Sequence, residues 1–110
     1  MAADIKKMTR LARDFAADVK TVLPVDKAVL FGSYAKGYAT ELSDVDICFF
    51  LPDYGGKERY ELIAELLGLG GAFGGKYEEV PFEPLVFETA DLEDDNPFIK
   101  EVLATGVELL

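Results

Sequence analysis

The sequence predicts one α/β unit. Amphipathic helical stretches alternate with short apolar runs of strand length, and those runs are rich in β-branched and aromatic residues. With 110 residues, half of them hydrophobic, there is material for one core and no second one. No repeat or linker interrupts the pattern, so residues 1–110 are expected to form a single domain.

From residue 4 to residue 22, Ile5, Met8, Leu11, Phe15, Val19 and Val22 recur at three or four, with Lys6, Lys7, Arg10, Arg13 and Asp14 between them. That spacing predicts an amphipathic helix, ended by Pro24. Ala28 to Phe31 reads as a buried strand stopping at the Gly32-Ser33 turn, and Val45 to Leu51 as a second strand ending at Pro52. Tyr34 to Leu42, between them, reads as a helical turn and a loop. Residues 57–69 return to helical spacing, with Tyr60, Ile63, Leu66 and Leu67 as the apolar side. The glycines from Gly68 to Gly75 then predict a mobile loop. Glu79 to Glu88 reads as a third strand, pushed to a sheet edge or a bulge by Pro81 and Pro84. Asn96-Pro97 provides a cap and a proline at the first helical position, and the helix they open runs to Gly106 as its stop. Val107 to Leu110 has room for a short strand.

Composition excludes several functions. Eleven Lys and Arg against 21 Asp and Glu give a formal charge of −10, the wrong sign for a general nucleic-acid binder. The chain has no His, which removes Ser-His-Asp and Cys-His catalysis and imidazole zinc sites. Cys48 is the single cysteine, so no internal disulfide forms, and a reducing compartment is expected. No apolar segment follows the basic pair in MAADIKKMTR, and the run Ile47 to Leu51 is too short to span a bilayer. A cytoplasmic protein with no membrane contact is expected.

Two glycine signals compete. Gly70 to Lys76 fits GxxxxGK, but Tyr77 stands where a P-loop needs Ser or Thr. It also follows a helix and enters a strand, the reverse of a P-loop, so a connector is the better reading. The other signal is Gly32-Ser33, ten residues, then Asp44-Val45-Asp46 with Ser43 just before. Residues two apart on a strand share a face, so Asp44 and Asp46 project together while Val45 and Ile47 point into the core. Two such carboxylates repel unless cations lie between them, and hard oxygen donors suit Mg²⁺ held together with substrate phosphates. Gly32 allows close backbone approach to a phosphate, and Ser33 adds an N–H and a hydroxyl. An isolated Asp-x-Asp in an acidic chain is usually a solvated pair, and an isolated Gly-Ser is usually a turn. Both together, each at a strand end, match metal-assisted phosphoryl or nucleotidyl transfer.

The segments Leu30-Phe31-Gly32-Ser33-Tyr34-Ala35-Lys36-Gly37 and Leu42-Ser43-Asp44-Val45-Asp46-Ile47 resemble the DNA polymerase β-like nucleotidyltransferase superfamily. The nearest group is the minimal nucleotidyltransferases, to which Asn96-Pro97-Phe98-Ile99-Lys100-Glu101-Val102-Leu103-Ala104-Thr105-Gly106 is also similar. The resemblance implies a small mixed sheet with helices packed on one face. It implies that Gly32 and Ser33 hold the triphosphate of ATP, with Lys36 and Ser43 beside it, and that Asp44 and Asp46 bind two Mg²⁺ ions. It implies a third carboxylate on a later strand, for which Glu83 is the candidate and Glu79 and Glu88 the fallbacks. Cys48 is expected to pack, not react. By the same resemblance the partner is a separate helical toxin of the HEPN ribonuclease type. The chain would then be its antitoxin, moving AMP from ATP onto a toxin tyrosine, with a homo-oligomer also open. Two rivals stand beside this: an antitoxin that only masks its partner, and an enzyme that modifies a small aminoglycoside-like acceptor.

Overall fold

The structure, a computed structural model, describes residues 3–110. Four strands form one mixed sheet in the order β3-β2-β1-β4. They are β1 (Lys27–Phe31), β2 (Val45–Leu51), β3 (Phe82–Glu88) and β4 (Val107–Glu108). The helices are α1 (Ile5–Lys20), α2 (Gly32–Lys36), α3 (Arg59–Gly70) and α4 (Pro97–Thr105), with a 3₁₀ turn over Thr89–Glu93. β1 runs antiparallel to β2 and β4, while β2 and β3 are parallel and joined through α3.

Local sequence accounts for most element ends. Asp4 caps α1 by accepting from the Lys7 N–H at 3.0 Å. The helix buries Ala12, Phe15, Ala16 and Val19 and ends at Lys20, two residues short of expectation. The Val22 N–H bonds Val19 O at 3.0 Å, an i→i−3 contact that tightens the last turn, and Val22 is left 54% exposed. Asn96 caps α4 through the Phe98 and Ile99 N–H groups, with Pro97 at the first helical position. Gly106 ends that helix as expected, without a left-handed backbone. Its φ is −81°, but a Cβ there would strike the Val29 side chain and lie 2.9 Å from Leu30 O. Close packing of α4 on β1 requires the glycine.

The sheet is buried on both faces, which corrects the expectation of helices on one face. α1 and α3 cover Leu30, Ile47, Phe49 and Val86 on one side. α4 covers Val29, Cys48 and Phe50 on the other with Ile99 and Val102. A strand apolar at nearly every position, as Ile47 to Leu51 is, has two dry faces to fill.

α3 buries only part of the side its spacing suggests: Leu66 and Ile63 face the core as expected, joined by Leu62. Leu62 and Leu66 are buried, whereas Tyr60 and Leu67 are 71% and 55% exposed. The helix continues through Gly68 to Gly70, so the turns of the glycine-rich segment begin at 71 instead of 68. Tyr77 pins that segment, its ring edge-on to Phe15 at 5.2 Å and its hydroxyl donating to Asp18. β3 begins at Phe82, later than expected, because residues 77–82 make tight turns in which the Val80 N–H donates to Tyr77 O at 3.0 Å and the Phe82 N–H to Val80 O at 2.8 Å; the Val45 N–H donating to Pro81 O then opens the ladder with β2. It lies at a sheet edge, where Pro84 is tolerated. No helix among the described residues is long and apolar enough to cross a membrane.

Candidate active site

Strand pairing assembles the site at one end of the sheet. Asp46 is partnered by Phe31 on β1 and by Glu83 on β3. Asp44 lies one residue before β2 with the same strand parity, while Val45 and Ile47 are fully buried on the opposite face. Beyond the acidic end, the same face continues in register as Cys48 beside Leu85 and Phe50 beside Phe87. This apolar floor leaves the carboxylates as the polar rim of a hydrophobic surface. Glu88 pairs with Leu51 at the far end of β3, and Glu79 precedes the strand, so register brings only Glu83 alongside Asp46.

The carboxylates act on one another. Burial first and then the charge of Asp44 raise the Asp46 carboxyl above its ordinary value. Glu83 is raised chiefly by a hydrogen bond with the Asp44 carboxyl, then by the charge of Asp46. Asp44 and Glu83 are exposed and Asp46 half-buried. Oxygen donors of like charge are the kind that a hard divalent cation takes. Among the described residues no three acidic, His or Cys groups close into a finished metal cage.

Gly32 opens α2 at φ +74°, and its α-carbon sits against the Asp46 carboxylate: an added Cβ would lie 3.2 Å from Asp46 Cγ and closer to Oδ2. Ser33 holds the following turn through its carbonyl, which accepts from the Gly37 and Tyr38 N–H groups at 3.0 and 3.1 Å. Ser43 Oγ accepts from the Thr40 N–H at 2.9 Å, so this hydroxyl shapes the approach to Asp44. Lys36 Nζ donates to Glu101 Oε1 at 3.1 Å, a pairing no local pattern announces. Cys48 is fully buried and its thiol is pushed up to about 12 by that burial, which makes it inert. Lys76, the lysine of the GxxxxGK match, stands 3.6 Å from Asp18 and 3.9 Å from Asp14, engaged with α1.

A mixed sheet with a glycine-serine turn facing an Asp-x-Asp pair defines a nucleotidyltransferase. The family model described as "Nucleotidyltransferase domain" matches residues 11–104, and the chain belongs to that family of enzymes. "Putative protein adenylyltransferase" of Methanocaldococcus jannaschii is 28% identical over 106 residues, covering 94% of this chain and 99% of the relative. A solved "putative nucleotidyltransferase" from Sulfolobus solfataricus superposes with a TM-score of 0.64 at 17% identity, covering 94% of this chain and 80% of that one. A toxin–antitoxin structure with AMP-PNP is more distant, at 0.49 and 22% identity, covering 98% and 73%.

Proposed function

We propose that the protein is a Mg²⁺-dependent adenylyltransferase that moves AMP from ATP to a protein hydroxyl. The observation that carries this is the register of Asp46 with Glu83, with Asp44 beside them and Gly32 against Asp46. Asp44, Asp46 and Glu83 would hold two Mg²⁺ ions, which when bound neutralise the triphosphate and make the acceptor hydroxyl a better nucleophile. Gly32 lets the backbone lie close to the phosphates, and Ser33 offers its N–H and hydroxyl to them. Ser43 fixes the loop leading to Asp44, and Lys36 would add its charge at the phosphate end. The acceptor oxygen attacks the α-phosphorus, the bond to pyrophosphate breaks, and Glu83 takes the hydroxyl proton.

The relative named a protein adenylyltransferase, matched almost end to end, supports a protein acceptor. Exposure of Asp44 and Glu83 agrees with an acceptor that brings its own hydroxyl and gains its rate from docking. Within this reading the acceptor is a tyrosine of a helical HEPN-type toxin that the protein silences, in the reducing cytoplasm where Cys48 stays a thiol. The test is label transfer with the purified partner, using ATP labelled at the α- or the γ-phosphorus. Label from the α position only, on a partner tyrosine, is expected. Transfer from the γ position would replace this reading with phosphorylation, and partner inhibition without ATP would replace it with masking.

A further inference from the structure

The bond from Lys36 to Glu101 ties the end of α2 to the middle of α4. The pair borders a small cavity of about 60 Å³ lined by Phe31, Gly32, Lys36, Phe98, Glu101 and Val102. Phe31 and Phe98 meet edge to face there at 5.6 Å. Gly32 is common to this cavity and to the contact with Asp46, so the cavity that Lys36 lines and the Asp46 carboxylate adjoin the same glycine. Lys36 is the one basic side chain among the cavity's lining residues. The other cations near carboxylates are engaged elsewhere: Lys27 with Glu108, Lys57 with Glu65, Lys76 with α1 and Lys100 with Asp95.

A polyphosphate approaching three carboxylates needs a cation in place, and a free lysine arm must surrender its rotational freedom to provide one. Glu101 removes part of that freedom in advance. Its carboxylate is 61% exposed, so the core does not depend on it. The same contact raises the Lys36 ammonium above its ordinary value, through the hydrogen bond and then the charge of Glu101. We infer that Glu101 is a positioning residue, holding Lys36 at the mouth of this cavity for the phosphate end of the nucleotide. The inference rests on the nucleotidyl-transfer reading above.

The test is a comparison of KM for ATP and kcat in the wild type, Glu101→Ala and Glu101→Gln, each also combined with Lys36→Met, with thermal melting as the check on folding. Glu101→Ala is expected to raise KM about fivefold, the worth of one hydrogen bond, with kcat within about twofold. Glu101→Gln is expected to restore KM, since its amide oxygen still accepts from Nζ. In the Lys36→Met background, Glu101→Ala is expected to change nothing further. A lower KM in both Glu101 variants would show that the carboxylate competes with phosphate, and would overturn the inference. So would an unchanged KM, or an equal loss without Lys36. Calorimetry with MgATP separates the two levels: no binding by the wild type overturns the parent reading as well, whereas normal binding with an indifferent Glu101→Ala overturns only the positioning role.

Discussion

The α-carbon of Gly32 rests against the carboxylate of Asp46 across the β1–β2 pair, leaving no space for a side chain between them. A positive φ of 74° at the same residue makes the site doubly intolerant of a Cβ. Gly32→Ala is therefore expected to displace the Asp46 carboxylate. Transfer should fall at least about a hundredfold, and stability should fall by about 1–3 kcal/mol for the strained backbone. A stopped assay and a denaturant melt check both; an active Gly32→Ala would mean that Asp46 need not stand where it does.

Asp46→Asn removes a half-buried charge that burial and Asp44 already disfavour. The metal-free variant is expected to melt at or above the wild-type temperature while losing transfer. Mg²⁺, which should raise the wild-type melting temperature in the presence of ATP, is expected to lose that effect in the variant. Cooperative loss of structure instead would make Asp46 a structural residue.

Register along β3 predicts a contrast between two glutamates. Glu83→Gln should reduce kcat by about a hundredfold or more with a smaller change in ATP affinity. Glu88→Gln, at the end of the strand beside Leu51, should leave both within about twofold. The reverse result would place the third carboxylate elsewhere.

The Tyr77 hydroxyl donates to Asp18, and burial followed by that bond raises its pKa well above the ordinary 10.0. The folded state therefore holds this proton more tightly than the unfolded chain. Its contribution to stability is full below about pH 10 and declines as pH rises beyond it. Tyr77→Phe should cost about 1 kcal/mol at pH 7 and flatten the alkaline loss of stability. Melts between pH 7 and pH 11 test the sign. ATP affinity should not change in Tyr77→Phe or in Lys76→Ala; a loss beyond about tenfold in the latter would revive the phosphate-loop reading of Gly70 to Lys76.

The local signals in this chain were reliable wherever neighbours within about one helical turn or a strand pair decide the outcome. The α1 stripe through Phe15 and Val19, the run from Val45 to Leu51 and the Asn96 cap all follow from such short-range rules. The face that α3 buries was legible only in part. Of the expected Tyr60, Ile63, Leu66 and Leu67, the first and last stay exposed while Ile63 and Leu66 pack with Leu62 and Leu69 against the core, a rotation that only the position of the sheet decides. The same holds for the two-sided sheet, although the unbroken apolar run in β2 was a signal for it.

Glu83 was preferred to Glu79 and Glu88 by resemblance alone, and nothing local in the sequence showed that the parallel register of β2 and β3 puts it beside Asp46. Lys36 meets Glu101 only because α4 folds back over β1, with Gly106 permitting the close approach. Periodicity reports which way a side chain faces on its own element. Which distant residue it then faces depends on strand register and helix placement, and those are set by burying the whole core at once.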